Sequence, residues 1–309
     1  MSEQRQEVIA VFIMALFFLV IHGLSLVLVQ PFEASEVIEP AFENPDNPFN
    51  IVYIFTIMMI FTGIILLIAK FWKKQLIQFI ILGAIGYTAF YAFFLPVFSL
   101  LLPMTGFLIQ LCLSLICAII LLVFLFKFPE WYIIDMCGII IGVAAIIIFG
   151  ISLNVFLVII LLIALAVYDA ISVYKTKHMI DLADTVMDLK LPVLLVVPKV
   201  RHYSLIKETK RLKESIKEGG EREAFFIGLG DIVMPGILVE SVYFSSAQGL
   251  PVAIGTIVGT LIGFCLLMRF VLTGKPQAGL PLLCGGAILG YLISSLVLYE
   301  SLIGLSFPF

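Results

Sequence analysis

The chain has 309 residues, 62% of them hydrophobic and only 13% charged, with a net charge of −3 and a mean hydropathy of +1.19. Soluble domains are about half apolar and about a quarter charged, so a water-soluble enzyme is excluded. The acidic balance excludes a nucleic-acid binder. A spanning helix takes roughly 20 apolar residues, and 62% of 309 residues, about 192, would fill about nine of them.

Nine apolar stretches follow in chain order, at 8–29, 51–69, 76–95, 107–126, 139–153, 155–174, 224–243, 250–268 and 280–299. The expected fold class is all-α, a polytopic membrane protein with nine transmembrane helices. The first stretch is longer than a signal-peptide core and lacks a small-residue cleavage site, so it is read as a spanning helix. The connection 30–50 is acidic and carries Pro31, Pro40, Pro45 and Pro48, which reads as an exposed loop. The fifth stretch is short, and only Ser152, Leu153 and Asn154 separate it from the sixth. Residues 175–222 form a basic loop of solvated charge. Within it LPVLLVVP, residues 191–198, is too short to span and rich in β-formers between two prolines, so it is an interfacial segment or a strand. The chain divides into a six-helix part at 1–174, the basic loop at 175–222, and a three-helix part at 223–309. Cys112, Cys117, Cys137, Cys265 and Cys284 are odd in number and form no CxxC pair. They read as small buried apolar residues rather than disulfides or metal ligands.

Charge placement tests the count. With the N-terminus inside, the connections alternate so that all 18 Lys and Arg residues fall inside. The outside set has none and holds Glu33, Glu36, Glu39, Glu43, Asp46, Glu300 and, counted there although it falls at the outer end of the seventh stretch, Glu240. This is the distribution that the positive-inside rule demands, and it places the N-terminus in the cytoplasm and the C-terminus outside, in a multi-pass protein of the cell membrane. Lys70 and Arg269, at span ends, snorkel to the headgroups.

Two carboxylates remain inside spans, Asp169 in the sixth and Asp231 in the seventh. A central Asp costs roughly 2.5–3.5 kcal/mol on insertion scales, so such residues are functional candidates. Asp169 lies six residues before Lys175, roughly 9 Å, and Asp231 nine residues after Arg222, roughly 13 Å if helical. Antiparallel neighbours at matched depth can face each other, and two close carboxyl groups titrate as a pair. One then serves as base toward water and the other as acid toward a carbonyl oxygen. On these two residues alone a proton-coupled transporter fits somewhat better than proteolysis or a structural acid pair. The surroundings favour proteolysis: Asp169 follows Tyr168, and Asp231 closes Gly228-Leu229-Gly230-Asp231. The glycines let another backbone approach, and Pro235-Gly236 is expected to break or kink the helix.

YD in a sixth span and GLGD in a seventh resemble the presenilin and signal peptide peptidase family of intramembrane aspartyl proteases. The nine-span count and the long loop between the two spans resemble it as well, so the likeness covers most of the chain. The family's Pro-Ala-Leu mark is matched here by Ala278, Gly279 and Leu280, followed by Pro281; the first two positions depart from it. LPVLLVVP is similar to a Pro-x-x-Leu-x-x-Pro element of signal peptide peptidases. The absence of a long insert suggests a compact microbial homologue of archaeal kind, and the N-inside orientation resembles the presenilin branch. The resemblance implies an intramembrane aspartyl endopeptidase of GxGD type acting on transmembrane proteins or peptides. Asp169 and Asp231 are then the catalytic pair, with Tyr168, Gly228, Leu229, Gly230, Ala278, Gly279, Leu280 and Pro281 shaping the site or touching substrate.

Other chemistries fit less well. There is no HExxH for zinc, and no metal or cofactor is implied. His22 and Ser25 share one helix, so His22 reads as an interior or interfacial histidine rather than a serine protease base. The rival function is a proton-coupled secondary transporter using the Asp pair, which would be expected to show inverted repeats.

Overall fold

Backbone amides in lipid must be satisfied within their own segment, which leaves helices as the default for apolar stretches of this length. The computed structural model describes residues 3–35, 37, 39–42, 44–71, 74–176, 194–200, 203–205, 224–272 and 277–306. The helices are α1 (Glu3–Ala34), α2 (Phe49–Phe71) and α3 (Lys74–Thr88), which a π-helical turn, Ala89–Phe94, joins to α4 (Leu95–Leu101). Then come α5 (Phe107–Lys127), α6 (Trp131–Ser152) and α7 (Val155–Ile171), the last ending in a π turn, Ser172–Thr176. Two short strands follow, β1 (Leu194–Pro198) and β2 (Ala224–Gly228). The chain closes with α8 (Leu229–Ser245), α9 (Gly249–Val271) and α10 (Leu280–Tyr299).

Among the described residues, seven helical segments are long and apolar enough to cross a membrane: Arg5–Ala34, Gln78–Leu101, Phe107–Lys127, Trp131–Ser152, Val155–Tyr174, Gly249–Val271 and Leu280–Tyr299. The shorter apolar helix Phe49–Phe61 and the 17-residue α8 accompany them. The fold is thus a polytopic helical membrane protein with a two-stranded antiparallel sheet, so all-α needs that one amendment. β1 falls inside the stretch read as strand or interfacial segment; Leu191, Pro192 and Val193, like most of 175–222, lie outside the described residues.

Several boundaries differ from expectation. The fifth span is not short: α6 begins at Trp131, eight positions earlier, and its charged second turn is sheltered by protein rather than water. The seventh stretch does not begin as helix, because its first five residues are β2. Asp231 therefore sits in the first turn of α8, not in mid-helix. Pro235 does not end α8, which runs on to Ser245. Asp169 and Asp231 are also not the only acids enclosed by helices. Asp135, expected in a cytoplasmic loop, is 4% exposed, and Glu240, expected outside, is 0% exposed. Glu240 fits because Gly150 leaves a notch for it: a Cβ there would stand 2.5 Å from the Glu240 Cβ. Of the cysteines, Cys137 and Cys284 are buried, whereas Cys112 and Cys265 are exposed on the helical surface.

α8 is the central element, buried from Ile232 through Val242 except at Met234. One core surrounds it, drawing Phe18 from α1, Ile146 from α6, Leu162 from α7, Phe264 from α9 and Ala287 from α10. It joins residues of the 1–174 and 223–309 parts. His22 belongs to this interior, with Nε2 2.9 Å from the Ile232 carbonyl oxygen, one residue beyond Asp231.

Candidate active site

Three chain segments converge at one end of the bundle. The first is the end of α7, which carries Asp169. The helix starts cleanly because Asn154 caps it, its Oδ1 accepting the Leu157 N–H at 2.8 Å. The second is the junction of β2 and α8. Gly228 is extended (φ −62°, ψ 133°) at the N-cap, and Asp231 lies three residues on. A carboxylate at that position reaches back to the N-cap amide and meets the positive end of the helix; Asp231 accepts from the Gly228 backbone. The third is 277–280, which leads into α10.

The third segment is tied directly to the first. Asp169 is 5% exposed, and its Oδ2 accepts the Leu280 N–H at 3.1 Å. Gln277 Oε1 accepts the Tyr174 hydroxyl at 2.8 Å. Gly279 faces the other acid: a Cβ there would stand 3.2 Å from Asp231 Oδ2, as would one at Gly228. The departure from alanine to glycine at 279 thus leaves room for the Asp231 carboxylate.

Asp169 and Asp231 line one cavity of about 170 Å³, with Val173, Phe226, Gln277 and Gly279 among its walls. That is space for several waters. The remaining sequence-derived residues divide. Ala278, within the third segment, is 3% exposed. Tyr168 is 63% exposed on the outer face of α7. Leu229 and Gly230 line a separate apolar cavity of about 450 Å³ with Ile54, Met58 and Ile141; a Cβ on Gly230 would meet nothing within 4 Å. Pro281 lines a groove between α9 and α10. Its missing N–H costs α10 no bond, because first-turn amides have no intrahelical acceptor. Sequence reasoning missed Gln277, Tyr174 and the β2 residues Phe225–Ile227; only Gln277, a polar residue directly before Ala278, left any local signal.

Residues 14–299 match the family described as signal-peptide peptidase, presenilin aspartyl protease. The chain is also similar to two solved structures described as a presenilin family intramembrane aspartate protease. One, in space group C222, is 32% identical with a TM-score of 0.64; the other, in P2, is 34% identical with a TM-score of 0.66. Each likeness covers 92% of this chain and 96% of the other. No curated protein matches.

Proposed function

The chain belongs to the signal peptide peptidase and presenilin family of intramembrane aspartyl proteases, and from that premise we propose that Asp169 and Asp231 are its catalytic pair, of GxGD type. The observation that carries this is the shared cavity: two carboxylates from different helices line one space large enough for water. As water attacks the scissile carbonyl carbon, one carboxylate takes its proton and the other gives a proton to the carbonyl oxygen. Collapse of the tetrahedral diol returns a proton to the departing nitrogen. The chemistry calls for no cofactor.

Substrates are transmembrane segments, whose carbonyls are hidden in helical hydrogen bonds until the segment unwinds. β2 leads straight into Gly228 and lines the dyad cavity through Phe225, Phe226 and Ile227. An extended substrate adding to its edge away from β1, unpaired among the described residues, satisfies the amides released by unwinding. The apolar cavity beside Gly230 receives side chains flanking the scissile bond, while the Leu280 amide holds Asp169 and Gly279 leaves room for Asp231. The chain crosses the cell membrane nine times with its N-terminus inside. Labelling of Glu39→Cys and Arg211→Cys from opposite faces checks this topology, and labelling from one face overturns it.

The deciding assay is cleavage of a transmembrane peptide by purified protein in detergent, with products identified by mass spectrometry. Hydrolysis without a gradient is expected. Proton-driven flux in sealed vesicles with no peptide-bond cleavage would overturn the reading and restore the transporter.

A further inference from the structure

Asp135 is a buried carboxylate outside the catalytic pair. It lies in the second turn of α6, and its Oδ1 accepts the Val196 N–H of β1 at 2.7 Å. Its Oδ2 has no partner among the described residues. Burying an acid with one oxygen unbonded costs free energy that a packed apolar side chain would not. β1 docks on α6 around this one bond. Leu195 fills the notch at Gly138, where a Cβ would stand 2.5 Å from its Cδ2. Val196 clusters with Trp131 and Tyr203. One turn earlier, Glu130 accepts the Ser204 hydroxyl at 2.8 Å and the Leu205 N–H at 3.2 Å.

The register pairs Val196 with Phe226. Since the Val196 N–H points at α6, this is an antiparallel pair whose polar groups face away from each other. α6 therefore closes the outer edge of β1, and the Phe226 N–H and C=O point outward from the far side of β2. β2 lines the dyad cavity, and no described β1 residue does.

We propose that Asp135 is a positioning residue: by clamping β1 to α6 it fixes where β2 offers its outer edge, and so which substrate bond reaches the dyad. This rests on the strand-addition reading above. The test uses the full chain and a transmembrane substrate with one dominant cleavage site, reading product masses, kcat, KM and melting temperature. Asp135→Leu removes the acceptor while keeping the branch at Cγ and is expected to spread cleavage to neighbouring bonds. Val196→Pro removes the donor while leaving Asp135 in place; because that N–H points away from β2, no β1–β2 ladder bond is lost, and the same shifted products are expected. Asp135→Asn keeps an acceptor oxygen and is expected to cut at the wild-type bond. Phe226→Pro removes the outward amide of β2 and is expected to lower kcat/KM about tenfold, the worth of one hydrogen bond. An unchanged Phe226→Pro enzyme would overturn strand addition itself. An impaired Phe226→Pro enzyme with wild-type products from Asp135→Leu and Val196→Pro would overturn the role of Asp135 alone, as would shifted products from Asp135→Asn. If Asp135→Leu does not fold, Val196→Pro and Asp135→Asn decide.

Discussion

Glycines crowd two regions of this protein, the α9–α10 seam and the surroundings of Asp231, and they face different things. Along the seam Gly259, Gly263, Gly286 and Gly290 face backbone. A Cβ on Gly259 would stand 2.7 Å from the Gly290 Cα and 2.9 Å from its nitrogen, and would collide with the Gly286 carbonyl. Gly286 and Gly290 meet Gly255, Gly259 and Gly263 in return. Close backbone approach through small residues is the usual way that helices associate in lipid, where no hydrophobic drive is available. Around Asp231 the notches at Gly228 and Gly279 hold a carboxylate, a side chain that can yield by a few tenths of an ångström. The same residue type thus serves rigid packing in one place and a movable acid in the other, and only the occupant of the notch tells them apart.

The largest effect should come from the occupant. Asp169→Asn or Asp231→Asn should each lower cleavage by roughly 10²–10⁴-fold, the span of general acid–base catalysis, while the melting temperature holds. Near-normal turnover by either variant would dissolve the distinction, leaving the Asp231 notch as ordinary packing. Gly259→Val should do the reverse. Overpacking costs about 1–3 kcal/mol, and backbone cannot retreat, so the melting temperature should fall while the surviving protein keeps its cleavage site. Gly279→Ala should separate the regions most cleanly. Misplacement by 1 Å costs about a hundredfold, so a few tenths of an ångström at Asp231 should lower kcat by roughly threefold to tenfold, with KM and melting temperature unchanged. An equal loss of stability in Gly279→Ala and Gly259→Val would erase the comparison. The smallest signature is the pH profile. A proton-sharing pair gives a bell-shaped rate, which Gly279→Ala should displace and Gly259→Val should leave in place; a flat wild-type profile would count against the pair.

Local pattern carried much of this protein. Runs of apolar residues specify helices because lipid leaves the backbone no other partner, and an Asp in such a run announces itself by its cost. That is why Asp169 and Asp231 stood out, and why valines between prolines marked β1. Asp135 and Glu240 were not legible, because each lies close enough to a span end to pass for a loop charge. Their burial depends on Val196, 61 positions away, and on the notch at Gly150. Nor did the AGLP segment disclose that the Leu280 amide binds Asp169 across 111 positions, or that Gly279 makes room for Asp231. Composition and periodicity are set by neighbours in sequence, so the sequence by itself determined the helices, their apolar character and the two acids. Which groups those acids touch, and which glycines face them, depends on how distant helices pack, and only the tertiary structure decided that.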